Sequence, residues 1–322
     1  MRKMIKAKIE QKELRAALLT WYDANRRDLP WRKTHDPYRI WVSEIMLQQT
    51  RVAAVLEHYR AFLEKFPTVK ALAEAPEADV LAVWSGLGYY RRARMMHRAA
   101  KEVAEELGGK FPRSAADLRA LPGIGRYTSA AIASIAFGEP VAVVDGNVER
   151  VLARFDGAAH EGEAVWARAQ ELMEEARPGD WNQAMMELGA TVCTPSEPKC
   201  LVCPLSAWCK APGADVSVPQ AQRKKKETVY VLARRKDAVY LVQRDHGSSL
   251  MAGMWELPQG KAGDGEVVLR NVRHSITDTD YAITVVKGAS KDMRGGRWVA
   301  LEDATSLPLT GLTKKILRKV KG

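Results

Sequence analysis

Leu121-Pro122-Gly123-Ile124-Gly125-Arg126-Tyr127-Thr128 interrupts a stretch that otherwise reads as helix after helix. Two glycines around one apolar residue let the backbone turn tightly. They also leave amide N–H groups bare at a helix N-terminus, which is where a phosphate binds. G-x-G alone is equally an ordinary helix–turn–helix connection. The full string, with Arg126 and Thr128 behind it, is more specific. Ser114 and Asp117 make a capping-box pattern for the helix before the turn, and Thr128–Phe137 continues the helix after it.

Outward from the turn, apolar residues recur at spacings of three and four. They do so through Leu14–Tyr22, Tyr38–Phe66, Val80–Val103, Val148–Phe155 and Ala164–Ala176. Breaks at Asp36-Pro37, Phe66-Pro67, Phe111-Pro112 and Arg177-Pro178 separate them. Alternating β-branched runs are almost absent, so residues 1–210 read as an all-α domain. Ala211–Gln220 is rich in Pro, Gly and Ala, and Arg223–Lys226 is a charge run, so 211–227 reads as a linker. Thr228–Ala233, Ala238–Arg244, Tyr281–Val286 and Arg297–Val299 look like strands and Leu312–Val320 like a closing helix, a smaller α+β domain over 228–322.

The 322 residues suit two domains and a core without disulfide staples. Lys plus Arg outnumber Asp plus Glu by 50 to 39, a net charge of +11 that suits a polyanion, nucleic acid first and acidic membrane second. No apolar run reaches a membrane span and the N-terminus lacks a signal-peptide core, so a reducing cytosol is expected. The four cysteines, Cys193, Cys200, Cys203 and Cys209, are then ligand candidates. Their C-x6-C-x2-C-x5-C spacing can wrap one zinc or one iron–sulfur cluster, and the single C-x2-C does not choose.

Two carboxylates stand out. Glu44 shares a helical face with Ile40, Trp41 and Leu47, which desolvates it, raises its pKa and suits a general acid. Asp145 ends the apolar run Val141–Val144 where helix resumes, an N-cap position that favours its ionised form. One acid held neutral and one held charged is the pairing used on glycosidic bonds.

The turn resembles the helix-hairpin-helix motif of DNA repair glycosylases, and the cysteine spacing resembles the 4Fe–4S loop of the endonuclease III and MutY glycosylases. With Leu29-Pro30-Trp31-Arg32, Trp41–Thr50, Gly86-Leu87-Gly88-Tyr89-Tyr90, Val144–Val148 and the tail Leu309–Lys315, nearly the whole chain resembles the MutY family of adenine DNA glycosylases. The resemblance implies a mainly α helix-hairpin-helix domain with a 4Fe–4S cluster on the four cysteines, followed by a Nudix-like α+β domain. It implies a monomer in the bacterial cytoplasm, associated with the nucleoid and not with membrane. Its substrate would be double-stranded DNA carrying adenine opposite 8-oxoguanine or guanine.

By the same resemblance Glu44 protonates adenine at N7 and Asp145 stabilises an oxocarbenium-like or covalent intermediate at C1′, with Tyr127 and Asn147 in support. Gln49 and Tyr89 wedge into the duplex while the base flips, and Arg27, Trp31 and Gln183 line the adenine pocket. Gly123, Gly125, Arg126 and Thr128 meet the DNA backbone. Lyase-active relatives such as endonuclease III carry lysine where this chain has Tyr127; a phenol forms no Schiff base, so a monofunctional glycosylase is expected. A non-catalytic damage-binding scaffold is disfavoured by the presence of both carboxylates.

Trp255–Lys261 resembles the start of a Nudix-type fold, without the acidic helix that would hold metal ions, so a lesion-binding module is expected. Family members commonly carry Phe-Ser-His in the lesion-sensing loop. Here the matching stretch reads Ile276-Thr277-Asp278. Thr277 keeps a hydroxyl toward the lesion, whereas Asp278 is electrostatically awkward beside phosphates.

Overall fold

A computed structural model describes residues 2–216, 223–245, 247–248, 250–261, 265–276, 278–288, 295–305 and 307–320. The helices are α1 (Arg2–Asn25), α2 (Pro37–Leu47), α3 (Val52–Lys65), α4 (Val69–Glu74), α5 (Glu77–Val83), α6 (Tyr90–Glu105), α7 (Ala115–Leu118), α8 (Arg126–Phe137), α9 (Gly146–Asp156), α10 (Glu163–Leu172) and α11 (Pro178–Thr191). Strands follow: β1 (Lys224–Leu232), β2 (Arg234–Arg235), β3 (Ala238–Gln243), β4 (Trp255–Glu256), β5 (Gln259–Gly260), β6 (Val267–Ile276), β7 (Thr279–Lys287) and β8 (Gly296–Ala300), then α12 (Gly311–Lys319). Among the described residues, no helix is long and apolar enough to cross a membrane.

The chain forms two compact units, one of Met1–Glu74 with Arg98–Pro219, the other of Ala75–His97 with Gln220–Gly322. This differs from a helical domain running unbroken from 1 to 210. The helical run expected over Tyr38–Phe66 also breaks: Gln48 ends α2 and Gln49 takes φ 56°, the left-handed region, before α3 begins. Likewise Val80–Val103 divides at Trp84–Tyr89, where Gly86, Gly88 and Tyr89 all have positive φ. Amphipathic spacing sees only side chains; it cannot see a backbone turned back inside the pattern.

In the first unit one core gathers the inner faces of α1, α9, α10 and α11. Leu18, Tyr22, Leu152 and Ala184 are fully buried there, beside Val148, Trp181 and Leu188. Asp145 caps α9 by accepting from the amides of Asn147 and Val148, and Ser114 caps α7 by accepting from Asp117 N. Both caps satisfy amides that a helix start leaves bare. In the hairpin, Gly123 takes φ 75°, and Gly125 stands as the N-cap of α8 with no side chain over it.

In the second unit one sheet runs β5-β1-β7-β6, with β1 parallel to β7, and the other joins β2, β3, β4 and β8. Leu241, Leu257, Ile283, Val285 and Ile316 of α12 are its fully buried centre. The run Lys224–Lys226, expected in a linker, is strand: each lysine pairs across to β7, from Lys224 with Thr279 to Lys226 with Tyr281. Its cations stay exposed, so charge did not exclude pairing. β6, rich in Arg, Asn and His, carried no apolar alternation and was missed.

α9 and α11 meet at Gly189. A Cβ there would lie 2.6 Å from the Asn147 Cβ and 2.9 Å from its carbonyl oxygen, both closer than packing allows. Gly189→Ala is expected to cost about 1–3 kcal/mol, the usual size of an overpacking penalty, read by urea unfolding. A variant as stable as wild type would mean that the two helices are free to separate.

Candidate active site

Five elements of the first unit converge: the Arg27–Arg32 segment, α2, α8, the start of α9, and α11. Glu44, from the middle of α2, is 5% exposed, and the hydroxyl of Tyr127 donates to its Oε2 at 2.6 Å. Burial pushes the Glu44 carboxyl up to about 7, against the Tyr127 bond and Arg32, which lower it; the charge of Asp145 adds to the rise. Removal from water disfavours the charged form more than one phenol can restore it. Tyr127 is held well above its ordinary value by burial and by the two carboxylates, so its proton stays in place as a donor.

Asp145 has the opposite setting. Its Oδ1 accepts from Asn147 N at 3.0 Å and Val148 N at 2.8 Å, and its Oδ2 accepts from Asn147 Nδ2 at 2.8 Å. Three N–H groups at the head of a helix favour negative charge. Asn147 is itself fixed, because Arg150 Nη2 donates to its Oδ1 at 2.9 Å and to Gly189 O at 2.8 Å. Arg150 Nε then reaches the carbonyl of Cys193 at 2.9 Å. One guanidinium therefore ties the Asp145 cap to the cysteine loop.

Glu187 of α11 anchors the third wall. Its side chain is 1% exposed and takes Arg27 Nε and Nη2 at 2.7 and 2.6 Å and Arg32 Nη2 at 2.8 Å. Burial raises its pKa, but the two arginines outweigh it and hold the carboxyl at about 2. Gln183 lies one turn before Glu187 on the same helix and Met186 directly before it, with Met186 Sδ 3.4 Å from the Tyr127 hydroxyl. Trp31 is 6% exposed, edge-on to Tyr59 with ring centroids 5.2 Å apart. Glu187, Arg32, Arg150 and Met186 are functional positions to which the sequence alone assigns no role. Glu187 carried the signal that marked Glu44, an acid inside an apolar helical run, Ala184-Met185-Met186-Glu187-Leu188.

The other expected positions scatter. Arg126 lies over the Trp166 ring, 4.1 Å from its centroid, and pairs with Glu163 at 2.5 Å. That pair is partly exposed and cheap to exchange for a phosphate. Thr128 is corrected as a backbone contact: it is 1% exposed and its hydroxyl accepts from Gln48, so its side chain faces inward. Gln49 stands in the left-handed turn between α2 and α3, and Tyr89 belongs to the second unit, 43% exposed at φ 49°. Thr277 lies outside the described residues. Asp278 follows it in the β6–β7 turn, where Lys224 Nζ pairs with it at 3.1 Å and offsets the charge that had looked awkward there.

All four cysteines line one small cavity, walled otherwise by apolar groups such as Val151, Phe155, Leu188 and Leu205. Among the described residues, no three His, Cys, Asp or Glu side chains stand close enough to share a single metal ion. Four thiols facing one space are a donor set for a metal ion or cluster. Beside them Arg154 is 4% exposed, and its guanidinium meets Cys193 Sγ at 3.4 Å and the carbonyls of Thr194, Pro195 and Ala214. No carboxylate pairs with it among the described residues, and a buried cation calls for an anion.

Glu187→Ala would leave two arginines facing a vacated buried anion site, and breaking such a group costs about 3–5 kcal/mol. Because the Glu187 pKa is depressed, the wild-type advantage is complete above the ordinary value of 4.5 and disappears as pH falls through about 2. Urea unfolding at pH 7 and again at pH 3 should show the gap and its shrinkage. Equal gaps at both values would contradict the ion cluster.

Residues 42–176 match the family described as HhH-GPD superfamily base excision DNA repair protein. The adenine DNA glycosylase of Homo sapiens is 50% identical over 212 residues, 61% of this chain and 39% of that protein. That of Arabidopsis thaliana is 44% identical over 234 residues, covering 63% and 37%. The alignments thus span about two fifths of the length of these curated relatives. Among solved structures, a thermostable thymine-DNA glycosylase superposes with a TM-score of 0.59 at 32% identity, over 63% of this chain and 97% of that one. A trapped endonuclease III–DNA covalent intermediate superposes at 0.54 with 22% identity, over 65% of this chain and 96% of that one, a likeness of fold. The chain belongs to the HhH-GPD superfamily of base excision DNA repair proteins, and within it the curated relatives it is similar to are adenine DNA glycosylases.

Proposed function

We propose that this chain is a monofunctional DNA glycosylase that excises adenine mispaired with 8-oxoguanine or guanine. One observation carries the reading: Glu44 is held protonated up to about pH 7, near an Asp145 surrounded by N–H donors. Tyr127 occupies Oε2 of Glu44, which leaves Oε1 to carry the proton. That proton goes to N7 of the flipped adenine, so the base leaves as a neutral group. The C1′–N9 bond breaks, Asp145 meets the positive charge that develops at C1′, and Asn147 holds Asp145 there; water then adds to C1′ and gives up a proton, which restores that of Glu44. Flipping is required because the glycosidic bond of a stacked base is out of reach. Arg27, Trp31 and Gln183 receive the base. Tyr127 stands where a lyase would need an amine, so the abasic sugar is released intact.

Gly123 and Gly125 offer amide N–H groups to a phosphate, and Arg126 exchanges Glu163 for another. Cys193, Cys200, Cys203 and Cys209 hold a 4Fe–4S cluster, and Arg154 supports this as a buried cation with no carboxylate partner among the described residues. When bound, that group supplies an anionic four-point clamp on the 193–209 loop. Residues 228–322 are a Nudix-like module that reads the strand opposite adenine.

Base release from duplexes holding A:8-oxoguanine, A:G or A:T tests the activity. Glu44→Gln keeps the shape and loses the proton, so excision is expected to fall about 10²–10⁴-fold with duplex binding retained. In the wild type, excision should decline as pH rises through about 7, where Glu44 loses its proton. A profile flat from pH 6 to 9 would remove Glu44 as the acid.

Protein purified without oxygen is expected to be yellow-brown and to carry about four irons per chain, the content of a cluster held by four thiolates. A colourless protein with one zinc would overturn that assignment.

A further inference from the structure

The tail Leu309–Lys315 and the segment Gly86–Tyr90 are left unused by the chemistry at Glu44. Both lie in the second unit. There, Leu312, Ile316 and Leu317 bury one side of α12 in the core. Lys314, on the helix between them, is half-buried, and its Nζ donates to the hydroxyl of Ser85. Ser85 Oγ also receives the Tyr90 hydroxyl at 3.3 Å. The contact stands at the foot of a strained turn, in which Gly86 has φ 118°, Gly88 71° and Tyr89 49°.

A tyrosine in the left-handed region persists only where its surroundings hold it there. Trp84 is fully buried and its Nε1 donates to Gly88 O at 2.9 Å. Arg92 lies over the Trp84 and Tyr89 rings, 5.5 and 5.1 Å from their centroids, and a stacked cation of this kind braces both. Lys314 supplies the remaining fixed point, and it comes from a helix more than 200 residues away in the chain, at a sequence separation of 229. Tyr89 is left 43% exposed, a large ring presented by a turn that is pinned from behind.

We propose that Lys314 is a positioning residue for the Tyr89 turn: by donating to Ser85 it fixes the backbone from which Tyr89 projects, so that α12 of the C-terminal unit governs how well the ring separates adenine from its stack. This rests on the base-flipping function proposed above. The lysine touches neither the base nor the sugar. Its ammonium suits the task because it brings three donors from a half-buried position on α12.

The test uses the full-length protein with Lys314→Met, Lys314→Arg and Ser85→Ala. Amide hydrogen exchange over 84–92 reads the turn without DNA. Fluorescence of 2-aminopurine placed beside the target adenine reads unstacking, and single-turnover excision reads the chemistry. In Lys314→Met, exchange over 86–90 should quicken about tenfold, the loss expected for one charge-assisted bond. The fluorescence rise should shrink and excision should slow by a similar factor, while the pH at which excision declines stays unchanged. Lys314→Arg should recover most of both signals. Ser85→Ala should reproduce the defect, and the double variant should be no worse than either single one, as for two partners of one contact. Ser85→Ala alone also serves if Lys314→Met fails to fold. Exchange and fluorescence equal to wild type in Lys314→Met and Ser85→Ala would overturn the proposal. A wild type that excises no adenine would instead sink the proposed activity, while hydrogen exchange would still decide whether Lys314 holds the turn.

Discussion

The hydrogen bond from Tyr127 to Glu44 organises the first unit around itself. It joins α2 to α8 at 2.6 Å, at a Glu44 side chain that the fold buries almost completely. A carboxyl there has two ways to lower its energy: keep its proton or find a cation. The nearest cation, Arg32, is committed to Glu187, so the proton remains. The cluster of Arg27, Arg32 and Glu187 is therefore part of the same electrostatic arrangement. Two buried carboxylates in one helical unit reach opposite states because two arginines outweigh the burial of Glu187, whereas one phenol does not outweigh that of Glu44.

The second carboxylate of the site depends on a longer chain of contacts. Asp145 is a helix cap, and a cap is as rigid as the helix beneath it. Arg150 extends that rigidity from Asn147 to the carbonyl of Cys193, and Gly189 lets α11 come close enough to accept from the same guanidinium. The cysteine loop thus stands behind the Asp145 cap, connected to it through a side chain that bears no part of the chemistry. Arg154 repeats the arrangement one turn later, turned toward the sulfurs.

In the second unit the sheet, α12 and the segment Ala75–His97 form one body although they are far apart in sequence. The positive φ values at Gly86, Gly88 and Tyr89 are tolerated because buried Trp84, Arg92 and Lys314 brace the turn from three directions. Exposure of the Tyr89 ring is the consequence: every other polar or aromatic group of the turn is used to hold it.

Much of this was legible in the amino-acid order alone. The helical character of the first 210 residues, the hairpin, the Asp145 and Ser114 caps and the α+β character of the remainder follow from local rules, because spacing, glycine and capping side chains act within one turn of chain. Glu44 was conspicuous for the same reason, an acid on an apolar helical face. What the order could not decide was which charges meet. Glu187 reaches Arg27 and Arg32 across 160 and 155 residues, Arg126 turns to Glu163 across 37, and Lys314 finds Ser85 across 229. Thr128 looked like a surface hydroxyl and is buried; Lys224–Lys226 looked like a linker and is strand. Such outcomes depend on desolvation and strand pairing, and those are set by neighbours that only the folded chain brings together.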